Sequence, residues 1–211
     1  KEEDILRRFD PNLPHYKQTR RDISVLRLML ACIFGSLPTI KEMIDRLEDF
    51  GLEGKPPARK QFRLLFMGIG ALIVARNNDK DKSKYQKLGK DIVQHYQKPV
   101  LGSMNGMPFY LCLLAEKSPS KRSYDKAIDA CTSAGMLHLK AMMNEHCAFL
   151  QLGKQKIKMG ESYMVEAYLA YKDWGAASKI RQLEGKYEFL KDIKQIDRIE
   201  KKKSKMCAFW F

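Results

Sequence analysis

Val and Thr together number only 8 in this 211-residue chain, against 23 Leu. Strands favour β-branched residues, and helix formers dominate here, so an all-β fold is excluded. Cysteine is sparse: Cys32, Cys112, Cys131, Cys147 and Cys207 make an odd number, and no two of them fall at the CxxC spacing of thiol redox or structural zinc sites. Reduced thiols in an intracellular, cytoplasmic setting are the expectation. A membrane-length apolar run is missing too. The most apolar stretch, Leu64 to Ala75, reads LLFMGIGALIVA between Arg63 and Arg76, shorter than the about 20 residues a spanning helix needs. It reads as a central helix buried on most faces, in which Gly68 and Gly70 let neighbouring helices approach closely. No GxxxxGK[ST] phosphate loop is found. Gly51-Leu52-Glu53-Gly54-Lys55 and Leu88-Gly89-Lys90 lack both its spacing and its magnesium-binding hydroxyl, so no nucleotide, metal or other cofactor is expected. There is no recognisable signal peptide, and an opening on Lys1 suits a piece of something longer.

Hydrophobic residues make up 45% and charged residues 30%, the balance of a soluble globular protein with enough apolar surface to fold without staples. Lys plus Arg number 39 against 25 Asp plus Glu, a formal charge of +14. That excess favours anionic partners: nucleic acid, acidic headgroups or an acidic protein face.

Apolar periodicity and breakers divide the chain into helices. The first runs from about Lys17 to Phe34, with Ile23, Leu26, Leu30 and Ile33 sharing a face, and Gly35-Ser36 closes it. Pro38 to Gly51 is the second, through Ile40, Met43, Ile44 and Leu47, antiparallel to the first. Later pairs are Pro56-Pro57 to Asn77 with Lys82 to Gln97, Met107 to Lys117 with Ser120 to Ala134, and Leu137 to Leu152 with Met159 to Trp174. Ser120 is placed as an N-cap and Gly135 as the residue just past a helix end. Ala127 precedes Gly135 by the same eight residues that separate Ala167 from Gly175, which marks a degenerate repeat of about 40 residues, near the tetratricopeptide class. The fold class expected is all-α, with antiparallel helix pairs stacked as a tetratricopeptide-like right-handed solenoid of about 9–11 helices. The domain reading is a lead-in over 1–16, the helical repeat over 17–190, and a basic, aromatic helix end and tail over 191–211.

Reactive residue types are present without a catalytic pattern. His138 and His146 can share a face, but Cys147 points away from His146 and completes no zinc site. Glu145 beside His146 has no second carboxylate or nucleophile at a useful spacing, and reads as a surface helix residue. The 11 methionines, among them Met104, Met107, Met142 and Met143, read as core gap-fillers.

The sharpest local pattern is Tyr163, Ala167, Tyr171 and Trp174, then Gly175, Ala176, Lys179 and Leu183. The first four share one helical face, where small Ala167 admits a crossing helix between aromatic rings. Gly175 ends the helix in the left-handed conformation and Ala176 starts the next. The aromatics read as core, and on that reading Trp174→Ala leaves a cavity costing about 3–5 kcal/mol.

The stretch AYLAYKDWGAASKIRQLEGKY, preceded by LHLKAMMNEHCAFL, resembles the C-terminal helical-repeat region of STAND-type signal-transduction ATPases found in multidomain sensor kinases and nucleotide cyclases. The matching positions are Asn144, Glu145, Ala167, Tyr171, Trp174, Gly175, Ala176, Lys179 and Leu183. The match is specific from Leu137 to Tyr187 and architectural before that. The resemblance implies a tetratricopeptide-like module that trails a nucleotide-binding domain and serves contact or signal transmission. The catalytic portion of such proteins has no counterpart in these residues.

The last eleven residues differ from the rest. Lys201, Lys202, Lys203 and Lys205 precede Cys207 and the aromatics Phe209, Trp210 and Phe211, a composition suited to an anionic membrane surface. Cys207 is not in a prenylation box but suits palmitoylation, which would make the chain membrane-peripheral. The aromatics folding back onto the repeat is the competing reading. The favoured function is a non-catalytic protein–protein interaction or signal-transmission module, acting on a protein partner or a neighbouring domain. The alternative is a basic helical-repeat binder of nucleic acid, which lacks a basic-aromatic motif to read bases.

Overall fold

The computed structural model describes residues 14–48, 58–77, 80–97 and 106–193. Every regular element among them is a helix. In order they are α1 (Pro14–Phe34), α2 (Leu37–Glu48), α3 (Ala58–Arg76), α4 (Lys82–Gln97), α5 (Gly106–Lys117), α6 (Lys121–Ser133), α7 (Leu137–Gly153), α8 (Ile157–Asp173) and α9 (Ala177–Lys186). A short helical turn over 189–193 follows. The chain divides into two compact units, residues 1–130 and 131–211.

The helix ends follow from local chemistry. At α6 the Ser120 hydroxyl accepts the Ser123 amide at 3.1 Å, and the Ser123 hydroxyl accepts the Ser120 amide at 3.0 Å. This is a reciprocal capping box with serine in place of the usual glutamate. Gly35, Gly135 and Gly175 take φ of 76°, 67° and 82°. Beyond each, the next amide reaches back to the carbonyl five residues earlier: Ser36 to Ala31, Met136 to Cys131 and Ala176 to Tyr171, at 3.0, 2.8 and 2.9 Å. These are Schellman closures. The corner between α7 and α8 has the same bonds, Gln155 to Leu152 at 2.9 Å and Lys156 to Gln151 at 3.0 Å, but there a glutamine holds φ of 59°. The corners at 135, 155 and 175 are therefore evenly spaced.

A side chain in the left-handed region costs about 1–2 kcal/mol. Gln155→Gly is expected to raise stability by about 0.5–1 kcal/mol, after the greater freedom of glycine in the unfolded chain is subtracted. Gly175→Val is expected to lower it by about 1–3 kcal/mol on backbone strain alone, since nothing lies within 4 Å of an added Cβ. Urea titrations of the two variants check both signs.

In the first unit α3 packs against α1, α2, α4 and α5, which accounts for its stretch from Leu64 to Ala75 being apolar all round. Two glycines open it on different sides. A Cβ at Gly68 would stand 2.6 Å from Leu113 Cδ2 and 2.9 Å from Ile92 Cγ2, and one at Gly70 would stand 2.9 Å from Ile40 Cγ2. Gly89 of α4 receives Leu72 in the same way, at 2.7 Å. The expectation of close helix approach at Gly68 and Gly70 therefore holds.

The face expected to bury α1 needs correction. Ile33 is buried, but Leu26 and Leu30 are 52% and 46% exposed and Ile23 is half-buried. The core side is instead Val25, Leu28, Ala31 and Cys32. This helix carries apolar residues on two faces, and periodicity alone does not say which one turns inward.

In the second unit α7 and α8 form a tight hairpin, and α9 packs on α8. A Cβ at Gly160 of α8 would come 2.6 Å from Leu152 of α7, so this glycine sets the closeness of the pair. Along α7, His138 meets Trp174 at 5.7 Å, Glu145 meets Lys179 at 2.7 Å, and Phe149 lies under the Lys186 ammonium at 5.3 Å. The contacts ascend together, so α9 runs parallel to α7. Met142, Met143 and Met164 are buried core residues, Met107 of the first unit is exposed, and Met104 lies outside the described residues.

Trp174 is the second correction. Ala167, Tyr171 and Leu183 are buried as expected and Tyr163 is half-buried, but Trp174 is 36% exposed and lies against His138. It occupies the C-cap of α8, where the chain leaves the helix, so its ring covers the corner from outside. Truncating it leaves no enclosed cavity, and a loss of about 3–5 kcal/mol no longer applies.

Candidate functional site

The chemistry-bearing side chains gather in two internal polar clusters, one in each unit. In the second unit α7 supplies Glu145, α8 supplies Tyr171 and α9 supplies Lys179. The Lys179 ammonium donates to Glu145 Oε1 at 2.7 Å and to Gln182 Oε1 at 2.9 Å, while the Tyr171 hydroxyl donates to Glu145 Oε2 at 2.9 Å. Lys179 also stands 5.6 Å from the Tyr171 ring centroid. All three residues are buried. Glu145 was expected on the surface, and this is the third correction. The i, i+4 and i, i+7 steps from Ala141 through Glu145 to Leu152 place it on the α7 side that meets α8 and α9. Beside it Asn144, also buried, donates to the Lys140 carbonyl at 2.9 Å, and Tyr168 donates to Glu184 at 2.9 Å.

The protonation balance of this cluster follows from burial. Loss of water pulls the Lys179 pKa below its ordinary value, and Glu145 opposes that shift. The Tyr171 phenol is held well above its ordinary range by burial first and by the Glu145 charge second. Each carboxylate oxygen of Glu145 accepts a bond from a group of the same chain. The arrangement joins three successive helices through one ion pair and one hydroxyl.

The first unit has a similar cluster that the sequence reading missed. Arg76 at the end of α3 bonds through Nη2 to Glu116 Oε2 at the end of α5, and through Nη1 to the Glu116 carbonyl at 3.2 Å. The Tyr124 hydroxyl of α6 donates to Glu116 Oε1 at 3.2 Å. The Glu116 side chain is fully enclosed, whereas Arg76 keeps one edge in water. Glu116 raises the Arg76 pKa against the lowering effect of burial, and Tyr124 is raised by burial and then by Glu116. Arg76 had served only as the flank of an apolar run, and Glu116 lies in the otherwise unremarked LLAEK. No local spacing links residues 40 apart.

These clusters have a common pH consequence. Burial raises the pKa of Tyr96, Tyr124, Tyr171 and the Cys32 thiol. The folded chain keeps these protons above about pH 9–10, where the unfolded chain sheds them, so stability falls as pH rises through that range. Lys179 acts in the opposite sense and is outnumbered. Thermal melts between about pH 8 and pH 11 are expected to show a falling midpoint, and the share of tyrosinate absorbance owed to the buried phenols should rise only with unfolding. Ionisation of all nine phenols well before unfolding would contradict the buried assignments.

The remaining sequence candidates divide simply. Tyr163, Ala167, Tyr171, Lys179 and Leu183 converge on the α7–α8–α9 packing, and Gly175 and Ala176 form its corner. Lys201, Lys202, Lys203, Lys205, Cys207 and Trp210 lie outside the described residues. Among the described residues no three or more His, Cys, Asp or Glu gather as a metal site, and no helix is long and apolar enough to cross a membrane. Comparison with protein-family models, curated proteins and solved structures yields no match.

Proposed function

We propose that this chain is a non-catalytic helical module for protein–protein contact or signal transmission, its helix pairs stacked as a tetratricopeptide-like right-handed solenoid. The observation that carries the reading is the even series of corners at Gly135, Gln155 and Gly175, each closed by the same backbone bonds. Helices delivered at a constant step cannot bury their apolar stripes alone and stack on neighbours, leaving extended surfaces suited to partners. The resemblance of residues 137–187 to the repeat region of STAND-type ATPases agrees with that role.

The second reading, a basic helical-repeat nucleic-acid binder, is favoured by the formal charge of +14. Proximity labelling in cells, followed by titration of each captured protein in purified form, decides between them. The expected result is at least one protein bound at about micromolar Kd or tighter, while nucleic-acid affinity collapses by about a thousandfold or more between 50 and 200 mM salt. Nucleic acid retained at physiological salt, with no protein bound, would replace the first reading by the second.

A further inference from the structure

One end of the second unit presents lysines and apolar side chains together. There α7 ends, α8 begins, and α9, parallel to α7, also ends. Residues 153–158, the corner between α7 and α8, are all exposed, and Lys154, Lys156 and Lys158 stand in it with no acid among them. Ile157, between two of these lysines, is 53% exposed. It lies on the stripe of α8 that buries Gly160, Met164, Tyr168 and Tyr171, but at the very start of the helix, where α7 gives out. One turn before the end of α7, Phe149 is 41% exposed. The Lys186 ammonium stands over its ring and over that of Tyr187, at 5.3 and 5.4 Å. The charge balance of this end is positive, with Lys154, Lys156, Lys158, Lys186 and Lys191 against Glu161, Glu188 and Asp192. Of these acids Glu161 is half-buried, and Glu188 is held by Lys191 at 2.9 Å.

Shape and charge identify the occupant. The corner is a turn standing out between two helices, so it inserts rather than receives. An exposed isoleucine set among lysines gains nothing against a nucleic-acid duplex, whose outside is phosphate and sugar. The Phe149 and Tyr187 rings already carry Lys186, so stacking on bases would have to displace an ammonium. An anionic bilayer rewards both features: lysines meet the headgroups, while isoleucine enters the boundary with the acyl chains.

We propose that the 153–158 corner docks the second unit on an anionic lipid surface, with Ile157 entering the bilayer boundary and Lys154, Lys156 and Lys158 meeting the headgroups. The contact is separate from the protein-binding role and would bring that role to a membrane surface. It requires none of Lys201, Lys202, Lys203 or Lys205.

Co-sedimentation of the full chain with lipid vesicles tests this. Vesicles with about a third phosphatidylserine should bind the chain at roughly 0.1 M salt, and plain phosphatidylcholine vesicles at least about tenfold more weakly. Lys154→Gln, Lys156→Gln and Lys158→Gln together should weaken the anionic binding about tenfold or more. Ile157→Ser should weaken it about threefold or more, and Ile157→Trp should strengthen it, since tryptophan favours the interface. These positions are exposed, so the melting temperatures should match that of the parent. Vesicle binding unchanged in the lysine variant would give the lipid to another surface and overturn the proposal. A parent chain indifferent to phosphatidylserine would do the same. If the lysine variant lost a DNA duplex of about 20 base pairs as strongly as it lost vesicles, and neither isoleucine variant changed vesicle binding, the corner would be a general polyanion patch and the proposal would fall. If the lysine variant melts lower, the isoleucine pair decides instead: opposite shifts uphold the proposal and equal binding overturns it.

Discussion

Glu145→Ala is expected to destabilise the second unit by about 3–5 kcal/mol, the cost of leaving a buried charge without its partner. Lys179 would keep its ammonium enclosed without the Glu145 carboxylate that balances it, and the Tyr171 hydroxyl would lose its acceptor. The pH dependence distinguishes this from simple loss of packing. Burial already draws the Lys179 pKa downward and Glu145 is what opposes it, so in the variant the lysine sheds its proton more readily in the folded state. The gap between variant and parent should therefore be widest at neutral pH and narrow toward alkaline pH. Replacing both partners, Glu145→Leu with Lys179→Met, should recover most of the loss, because the interior then holds no stranded charge. Urea titrations at two pH values read all of this, and recovery by the double variant stays measurable even if the single variant does not fold. A Glu145→Ala chain that melts like the parent would refute the buried pair.

Arg76→Ala is the counterpart in the first unit, with a similar expected loss of about 3–5 kcal/mol. Here the stranded group is an acid: Glu116 is fully enclosed and would lose the Arg76 cation while keeping the Tyr124 hydroxyl. A lone buried carboxylate takes up a proton more readily, so this deficit should shrink as the pH falls, opposite to the lysine case. Removing Glu116 instead is expected to cost less, because Arg76 already reaches water and can turn outward. Tyr124→Phe, which deletes one hydroxyl, should cost about 1 kcal/mol. If Arg76→Ala and Tyr124→Phe were equally mild, Arg76 would not be what makes the enclosed Glu116 charge tolerable.

The parts of this fold legible in the sequence are those set by neighbours in the chain. Lys82 to Gln97 was readable to the residue because a polar turn precedes it and a Pro-Gly region follows. Gly135 and Gly175 announced left-handed helix ends because few other residues accept that backbone. Gln155 gave no such announcement, as its corner is enforced by the packing of α7 on α8. The hidden features are those that depend on contacts across the chain. Glu145 looked like surface because acids usually are, and only its meeting with a lysine 34 residues later makes its burial tolerable. Leu26 and Leu30 looked like core because leucines usually are, although α2 and α3 take the other side of α1. Trp174 was misplaced by a one-residue matter, its position just past the end of α8 rather than inside it.

The apolar stretch from Leu64 to Ala75 of α3 also sets a timing problem during synthesis. Its last residue is Arg76, and α5, which covers the Gly68 side, ends at Lys117. At about 5–20 residues per second, that helix leaves the ribosome several seconds before its final neighbour is complete. During that interval α1, α2 and then α4 can shelter it only in part. A nascent chain halted between Arg76 and Lys117 would present the side of α3 that Leu113 later covers, and a chaperone that grips bare apolar helices would find its site there. The second unit is spared this delay, because α7 finds α8 as soon as one more corner has formed.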